Sequence, residues 1–454
     1  MQEKGNGNEQ YSFINEKRKE KPVNKKRLVL YAGFTVAMAV LFGLVASLVF
    51  AYFRPKFEEM LYPEKQELIK IPKDYLDTAQ TERQESAPED TQESLGGDDL
   101  FPTETNLPET DHQPDETAQG GENSVETVVK ELTIQDYQKI QNQLYDIGRE
   151  ANRFVVTVTG IKSDTDWFQN DYERKDQISG AVIADNGTEL LILTERKMIA
   201  DAQEIYVTFS TGFQAAASMK KYDANTGVCI LSVQISELDE TTRESTCAAV
   251  LGNSLITKQG EIVIAVGSPL GTNYSILTGN ITSTTNSIST VDSKYGLFTT
   301  NIVGNSSGSG VLLNVSGEII GLVMQQYNNR DEGTLTAVSI SELKALIEML
   351  SNNMDMPYLG VELTTVTDAI AAEYDIPKGA YVKDVRMDSP AMAAGIQNGD
   401  VIAEIDGDAI FTVDGYRNKL LAMVPGETVQ IIVKRQGADG YANISCHVEV
   451  GVMH

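Results

Sequence analysis

Side chains that could act as a base at neutral pH are scarce in this sequence. The chain has 454 residues and three histidines, which are His112, His447 and His454. None of them lies between residues 113 and 446. Chemistry in that interval that requires an imidazole base is therefore excluded, unless the chain folds His447 back into it.

One glycine-rich segment of the sequence carries three serine hydroxyl groups. Residues 304–310 have the sequence Gly-Asn-Ser-Ser-Gly-Ser-Gly. A serine hydroxyl becomes a nucleophile only when an adjacent base takes its proton. Without such a base, the segment is simply a polar turn.

Metal and cofactor sites are not expected. Cys229, Cys247 and Cys446 are too few for a disulfide-rich scaffold or a cysteine-rich zinc site, and we predict small buried apolar residues. Cys446 and His447 are adjacent, but two ligands do not make a metal site.

Lys plus Arg number 37 and Asp plus Glu 65, so the net charge is −28. That balance excludes a nucleic-acid binder, which needs a basic face.

The elements that must position these groups are mainly β-strands. Residues 134–151 have apolar side chains at helical spacing, which predicts a leading helix. From residue 154 to 323, short apolar runs alternate with turns rich in Gly, Asn and Ser. Strands at intervals of roughly 10–20 residues predict an antiparallel barrel or sandwich.

The region from residue 354 onward has its own pattern of caps and turns. Ser389 and Pro390 begin a short predicted helix, and Gly395 stands where a left-handed residue would end it. An Asp-Gly turn at 406–407 ends a strand. Residues 413–423 predict an amphipathic helix. These features indicate a second domain.

The order of motifs in the first region resembles the trypsin-like protease domain of the HtrA/Deg family. Four segments carry the likeness, each similar to a strand or turn of that family: Ser179–Ile183, Ala265–Gly271, Leu277–Ser283 and Gly317–Gly321. The resemblance implies a chymotrypsin-like double β-barrel over residues 128–350. It also implies Ser-His-Asp chemistry, in which the serine attacks a peptide carbonyl, the histidine takes its proton and the aspartate orients the imidazole.

The triad positions of that family fall on other residues in this chain. The histidine position holds Lys197 and the aspartate position holds Gly227. The serine position aligns without gaps on Gly308, whereas a shift of one residue places Ser307 there. Ser309 is the next hydroxyl along the loop, and it completes the set of triad-equivalent candidates.

Loss of the triad removes nearly all turnover, so the resemblance implies a non-functional peptidase domain. One alternative is a Ser-Lys dyad, with Lys197 as base toward Ser307 or Ser309, which requires burial that lowers the lysine pKa. The neighbouring Glu195 and Arg196 instead predict a solvated segment. A rearranged site is also open, since N–H groups of the glycine-rich loop could bind a carbonyl oxygen.

The second region, residues 354–454, is similar to a PDZ domain of the HtrA type. The segment 389–407 carries the likeness, with the pattern S-P-A-x-x-A-G-I-x-x-G-D-V-I-x-x-I-D-G. In that family a loop offers backbone N–H groups to the C-terminal carboxylate of a peptide, which adds to the sheet as a strand. The resemblance places the loop at Tyr358, Leu359, Gly360 and Val361. Spacing adds three residues of the facing helix: Tyr416, Leu420 and Met423.

The N-terminal part predicts a membrane anchor and a tether. Residues 28–53 carry no charge and are long enough to cross a hydrocarbon core of about 30 Å. Residues 1–27 are rich in Lys and Arg, so they form a cytoplasmic basic tail and the rest lies outside. A cleaved signal peptide is the alternative, but its apolar region would be about 7–15 residues. Residues 54–127 predict an acidic disordered linker because apolar residues are few.

These features predict a membrane-tethered, extracytoplasmic HtrA-like pseudoprotease that is mostly β. It would bind peptide or protein C-termini and unfolded-protein segments, in envelope protein quality control or in regulation of proteolysis. The alternative is an active serine endopeptidase with the Ser-Lys arrangement, and a third hypothesis is a structural envelope anchor whose PDZ groove binds nothing. The resemblance implies a homo-oligomer, often a trimer among such relatives, although no trimer-specific residue is visible here.

Overall fold

The computed structural model describes residues 68–74, 132–165, 171–328 and 333–453, with a few helical positions between residues 34 and 49. The predicted basic tail, and most of the predicted membrane segment and acidic linker, lie outside the described residues. Within the described part, no helix is long and apolar enough to cross a membrane. The chain divides into two units at residues 66 and 67, and the second unit contains both folded domains.

A helix leads into the first barrel, as predicted. Helix α1 (Ile134–Ala151) begins with a capping box, in which the Thr133 side chain accepts from the Asp136 N–H and the Asp136 carboxylate accepts from the Thr133 N–H. Six strands then close into a barrel in the order β1-β2-β3-β6-β5-β4. They are β1 (Val155–Thr165), β2 (Asp171–Asp185), β3 (Glu189–Glu195), β4 (Glu204–Thr208), β5 (Gln214–Tyr222) and β6 (Val228–Gln234).

The second barrel follows a short helix, α2 (Glu240–Ser245). Its strands close in the order β10-β11-β12-β9-β8-β7. They are β7 (Ile262–Ser268), β8 (Ser275–Thr290), β9 (Ser293–Val303), β10 (Ser309–Leu313), β11 (Ile319–Met324) and β12 (Thr334–Ser339). Strands β8 and β9 form a long hairpin that pairs Thr290 with Ser293 across a two-residue tip. The predicted chymotrypsin-like double barrel is therefore confirmed.

Helix α3 (Ile340–Ser351) connects the barrels to a PDZ domain. Five strands of that domain pair in the order β14-β15-β16-β18-β19, β17 pairs with β16, and β13 pairs with β20. The strands are β13 (Pro357–Tyr358), β14 (Val361–Thr365), β15 (Ala380–Val385), β16 (Val401–Ile405), β17 (Asp408–Ala409), β18 (Thr428–Gly437), β19 (Gly440–Glu449) and β20 (Gly451–Val452). The helices are α4 (Asp368–Tyr374), α5 (Pro390–Ala393) and α6 (Val413–Leu420).

Capping and turn residues determine where the helices of the PDZ domain begin and end. The Ser389 hydroxyl accepts a hydrogen bond from the Met392 N–H and so caps α5, with Pro390 in its first turn. Helix α6 ends at Leu420, three residues before the predicted end, because the chain tightens into a turn in which the Met423 N–H donates to the Leu420 carbonyl. Buried aliphatic side chains form a core for the PDZ domain that is separate from those of the barrels.

Candidate peptidase cleft and peptide-binding loop

The serine-rich loop between β9 and β10 forms a closed turn. The Gly308 N–H donates to the Asn305 carbonyl at 2.9 Å. The same carbonyl accepts from the Gln325 side-chain amide at 3.1 Å. In trypsin-like catalysis the N–H at the nucleophile position helps to bind the oxyanion of the reaction intermediate. Here the N–H of Gly308 is already bonded to the loop itself, so it is not free to bind an oxyanion.

Position 308 also leaves no room for a side chain. A Cβ atom built on Gly308 would lie 2.6 Å from the Pro269 carbonyl oxygen and 3.0 Å from the Asn305 carbonyl oxygen. Both neighbours are backbone atoms, which cannot turn aside as a flexible side chain can. In this turn a serine at position 308 would therefore require a shift of the backbone.

The two flanking serines have different surroundings. The Ser307 side chain is exposed, and its hydroxyl donates to the Asn305 side-chain carbonyl at 3.0 Å. The Ser309 side chain is 3% exposed, and its hydroxyl accepts from the Ser179 N–H at 3.1 Å. Ser309 therefore joins β10 of the second barrel to β2 of the first.

Of the two other triad-equivalent residues, Lys197 approaches this loop, whereas Gly227 is bonded to the residue before Lys197. Lys197 is exposed on a short 3₁₀ helix after β3, and its Nζ lies 3.5 Å from the Ser306 carbonyl oxygen. Among the described residues, its hydrogen-bond partner is that carbonyl rather than a serine hydroxyl. Gly227 has φ +79°, a left-handed backbone that favours glycine, and its carbonyl accepts from the Arg196 N–H at 2.7 Å.

Glu195 is a buried acid close to Lys197. It ends β3, whose residues are all buried, and it is 5% exposed, so the predicted solvated segment is wrong at this position. Burial raises the pKa of Glu195 to about 7, with the Lys197 charge acting in the opposite direction. Its Oε1 atom has no hydrogen-bond partner in the part of the chain that the structure describes.

Arg196 is half-buried and lies against an aromatic ring. Its guanidinium carbon is 4.2 Å from the centre of the Tyr222 ring. The sequence signal for Glu195 and Arg196 was the apolar run Leu190–Leu193 just before them. It belongs to β3, which is buried along its whole length, and Glu195 is the last residue of that strand.

The loop at residues 358–361 points three of its N–H groups, those of residues 359–361, at one internal carboxylate. The Leu359 and Gly360 N–H groups donate to Oδ2 of Asp292 at 2.9 and 2.8 Å. The Val361 N–H donates to Oδ1 at 3.1 Å. Gly360 has φ +88°, and a Cβ there would lie 2.3 Å from the Ser389 Cβ, so only glycine fits this backbone.

Asp292 lies at the tip of the β8–β9 hairpin and is 1% exposed. The Tyr416 hydroxyl, from α6, also donates to its Oδ1 atom, at 2.7 Å. Burial raises the pKa of Asp292, while hydrogen bonds from the loop and Tyr416 favour the charged form. The sequence analysis missed this residue, since a Val-Asp turn between two strands is common and only the αL preference of aspartate marks it.

The other helix candidates point into the PDZ core. Leu420 and Met423 are buried in the same apolar cluster as Leu359 and Val361. Tyr416 is fully buried, and its hydroxyl reaches the carboxylate site. Tyr358 is half-buried at the start of the loop.

Comparison with known families supports the two-domain description. The trypsin-like peptidase domain family matches residues 178–322, and the PDZ domain family matches residues 357–446. A probable periplasmic serine endoprotease DegP-like from Halomonas elongata is 29% identical over 272 residues, covering 58% of this chain and 55% of that protein. A protein of the same description from Pseudomonas fulva is 30% identical over 267 residues, covering 57% of this chain and 53% of that protein.

Solved structures share the fold. The HtrA-type protease AlgW with decapeptide matches with a TM-score of 0.51 and 21% identity, covering 68% of this chain and 98% of that chain. AlgW with tripeptide matches with a TM-score of 0.50 and 22% identity, covering 68% of this chain and 97% of that chain. The present chain spans about half the length of the two bacterial relatives named above.

Proposed function

Since the chain belongs to the HtrA/Deg family of trypsin-like peptidase domains joined to a PDZ domain, we propose that it is a pseudoprotease that binds peptides. In this proposal the barrels retain the protease fold without a working triad. The PDZ domain binds C-terminal or unfolded segments of other proteins, in quality control or regulation of proteolysis outside the cytoplasm.

The observation that carries the proposal is the turn at Gly308. Its N–H is bonded to the Asn305 carbonyl, and a side chain there would meet backbone oxygen atoms. The position that should supply both a nucleophile and an oxyanion donor therefore offers neither. With Lys197 and Gly227 at the other two positions, none of the described residues around this loop is arranged to move a proton from a serine hydroxyl.

The alternative is an active serine endopeptidase in which Lys197 serves as the base. The approach of its Nζ to the Ser306 carbonyl places an amine next to the serine loop. The Lys197 side chain is exposed and contacts a carbonyl oxygen rather than a serine hydroxyl, so this contact favours the pseudoprotease.

Membrane tethering and extracytoplasmic location are part of the same proposal. The uncharged segment 28–53 and the basic residues before it support an anchor with its N-terminus in the cytoplasm. The relatives from Halomonas and Pseudomonas are described as periplasmic, which agrees with folded domains outside the cytoplasm. Assembly into a homo-oligomer, such as a trimer, is also a proposal.

The test is labelling of the detergent-solubilised full chain with a fluorophosphonate, together with casein digestion. We expect no covalent adduct and no digestion by the parent chain. The Ser307→Ala variant and the matched Ser306→Ala control should behave identically. An adduct or digestion that Ser307→Ala abolishes and Ser306→Ala retains would establish the endopeptidase and overturn the proposal.

A further inference from the structure

The carboxylate-binding loop of the PDZ domain is filled by the chain itself. We propose that Asp292 is an internal ligand of this loop, which an incoming peptide carboxylate must displace. The inference rests on the proposed peptide binding only for the displacement step, because the contact between Asp292 and the loop exists within the chain.

The contact reproduces the hydrogen bonds that the C-terminal carboxylate of a peptide would form in this loop. Three successive N–H groups, of Leu359, Gly360 and Val361, converge on one carboxylate at 2.8–3.1 Å. The Asp292 N–H in turn donates to the Val361 carbonyl at 2.7 Å. Val291 forms an antiparallel bridge with Glu362. The hairpin tip thus combines a carboxylate with a short added strand, which are the two parts of peptide recognition by a PDZ domain.

The hairpin tip is held in this position from the opposite side by α6. The fully buried Tyr416 contributes its hydroxyl to Asp292. The next residue, Arg417, donates to the Lys294 carbonyl at 2.9 Å and lies 5.5 Å from the centre of the Tyr295 ring. One helix of the PDZ domain therefore contacts both the tip and the first residues of β9.

Removal of Asp292 would leave the loop with buried donors and no acceptor. A buried N–H without an acceptor is unfavourable, so the converging N–H groups of residues 359–361 strongly favour an anion. The same site cannot hold two carboxylates at once. Peptide binding and the contact between the hairpin tip and the PDZ domain are therefore mutually exclusive.

This competition lowers the apparent affinity for peptides. The measured dissociation constant is the intrinsic value divided by the fraction of molecules whose loop is free. If the internal contact leaves at most one molecule in ten open, its removal strengthens binding about tenfold or more. A peptide that binds would also release the PDZ domain from the second barrel at this contact.

The test compares Asp292→Asn with Asp388→Asn in the full chain. Asparagine tolerates the positive φ of both residues, +58° and +57°, so each variant loses a charge and keeps its backbone preference. Asp388 is exposed, which makes it the matched control. Two labelled decapeptides ending in valine serve as probes, one with a free C-terminal carboxylate and one amidated. Fluorescence anisotropy measures their binding.

We expect Asp292→Asn to bind the free-carboxylate peptide at least tenfold more tightly than the parent, with Asp388→Asn unchanged. The amidated peptide should gain nothing, because it lacks the group that replaces Asp292. Equal affinity of the parent and Asp292→Asn for the free-carboxylate peptide would overturn the inference.

Amide hydrogen exchange provides a measurement that needs no peptide. Exchange at residues 359–361 should accelerate at least tenfold in Asp292→Asn, and by a smaller factor in Tyr416→Phe, relative to Asp388→Asn. Unchanged exchange in the folded Asp292→Asn variant would show that Asp292 does not hold the loop and would overturn the inference. Faster exchange without binding of either peptide would support the internal contact and count against the proposed peptide binding.

Discussion

The hydroxyl of Tyr416 donates a hydrogen bond to Oδ1 of Asp292 at 2.7 Å, although the two residues are 124 positions apart and belong to different domains. The contact is fully buried and joins α6 of the PDZ domain to the hairpin tip of the second barrel. The packing of the PDZ domain against the second barrel should therefore depend on this pair.

Replacement of Tyr416 by phenylalanine should lower the free energy of unfolding by about 2 kcal/mol. A buried hydrogen bond to a charged group contributes roughly 1.5–3 kcal/mol, and phenylalanine fills nearly the same volume. Chemical denaturation would measure the effect. The control is Tyr374→Phe, whose ring is largely exposed and should cost little. Equal loss in both variants would contradict the role given to the hydroxyl.

A serine introduced at position 308 should destabilise the second barrel rather than restore a nucleophile. Its Cβ would meet backbone oxygens at 2.6 and 3.0 Å, and relief of such overpacking costs typically about 1–3 kcal/mol. The matched control is Gly437→Ser, where the nearest atom to a built Cβ is 3.5 Å away. Thermal unfolding would compare them. A Gly308→Ser chain that is as stable as the control and labelled by a fluorophosphonate would refute this account of the turn.

Stability should fall as pH rises through the titration of Glu195. Burial raises the pKa of this acid from its ordinary 4.5 to about 7, so the folded state holds its proton more tightly than the unfolded state. The contribution of Glu195 to the free energy of unfolding is therefore fully present below about pH 4.5 and lost as pH rises to 7, by up to about 3 kcal/mol.

The variant Glu195→Gln should remove this pH dependence. At pH 8 it should be more stable than the parent, because glutamine carries no charge to bury, whereas at pH 4 the two should be similar. Urea denaturation between pH 4 and 8 would measure both, with the exposed Glu237→Gln as control. A parent whose pH profile matches that of Glu195→Gln would exclude a raised pKa for Glu195.

The ion pair between Asp400 and Arg435 should be essential to the PDZ domain. Asp400 is fully buried and accepts from two nitrogens of the guanidinium at 2.6 and 2.7 Å. Loss of one partner of a fully buried pair costs about 3–5 kcal/mol, and the loss here should be smaller because the Arg435 side chain is 27% exposed. Asp400→Asn should thus lower the unfolding midpoint strongly, whereas the exposed Asp384→Asn should not. Similar midpoints would contradict the prediction.

Much of the fold could be predicted because its signals are local. Helix α1 occupies the predicted residues, since both its apolar spacing and its cap lie within the segment. The cap and proline of α5 likewise identified a PDZ helix. The Tyr-Leu-Gly-Val sequence marks the loop that binds the Asp292 carboxylate, in which Gly360 adopts a backbone that no other residue fits.

The surroundings of the candidate sites were less predictable. Glu195 looks solvated in sequence because it stands beside Arg196 and Lys197, yet the barrel buries it. The turn at Gly308 depends on the Pro269 carbonyl and the Gln325 side chain, which lie just beyond the ends of β7 and β11. Neighbours of this kind are set by packing and leave no periodic signal in the segment itself.

By itself, the sequence determined the order of the two folded domains, because alternation, turns and residue identities are properties of short segments. Only the tertiary structure decided what the carboxylate loop holds. Asp292 meets Gly360 across 68 positions of sequence, through a hairpin tip whose two residues are unremarkable when read alone. The reason is that hydrogen bonds between distant segments depend on how the barrels and the PDZ domain pack, and packing brings together groups that no local pattern relates.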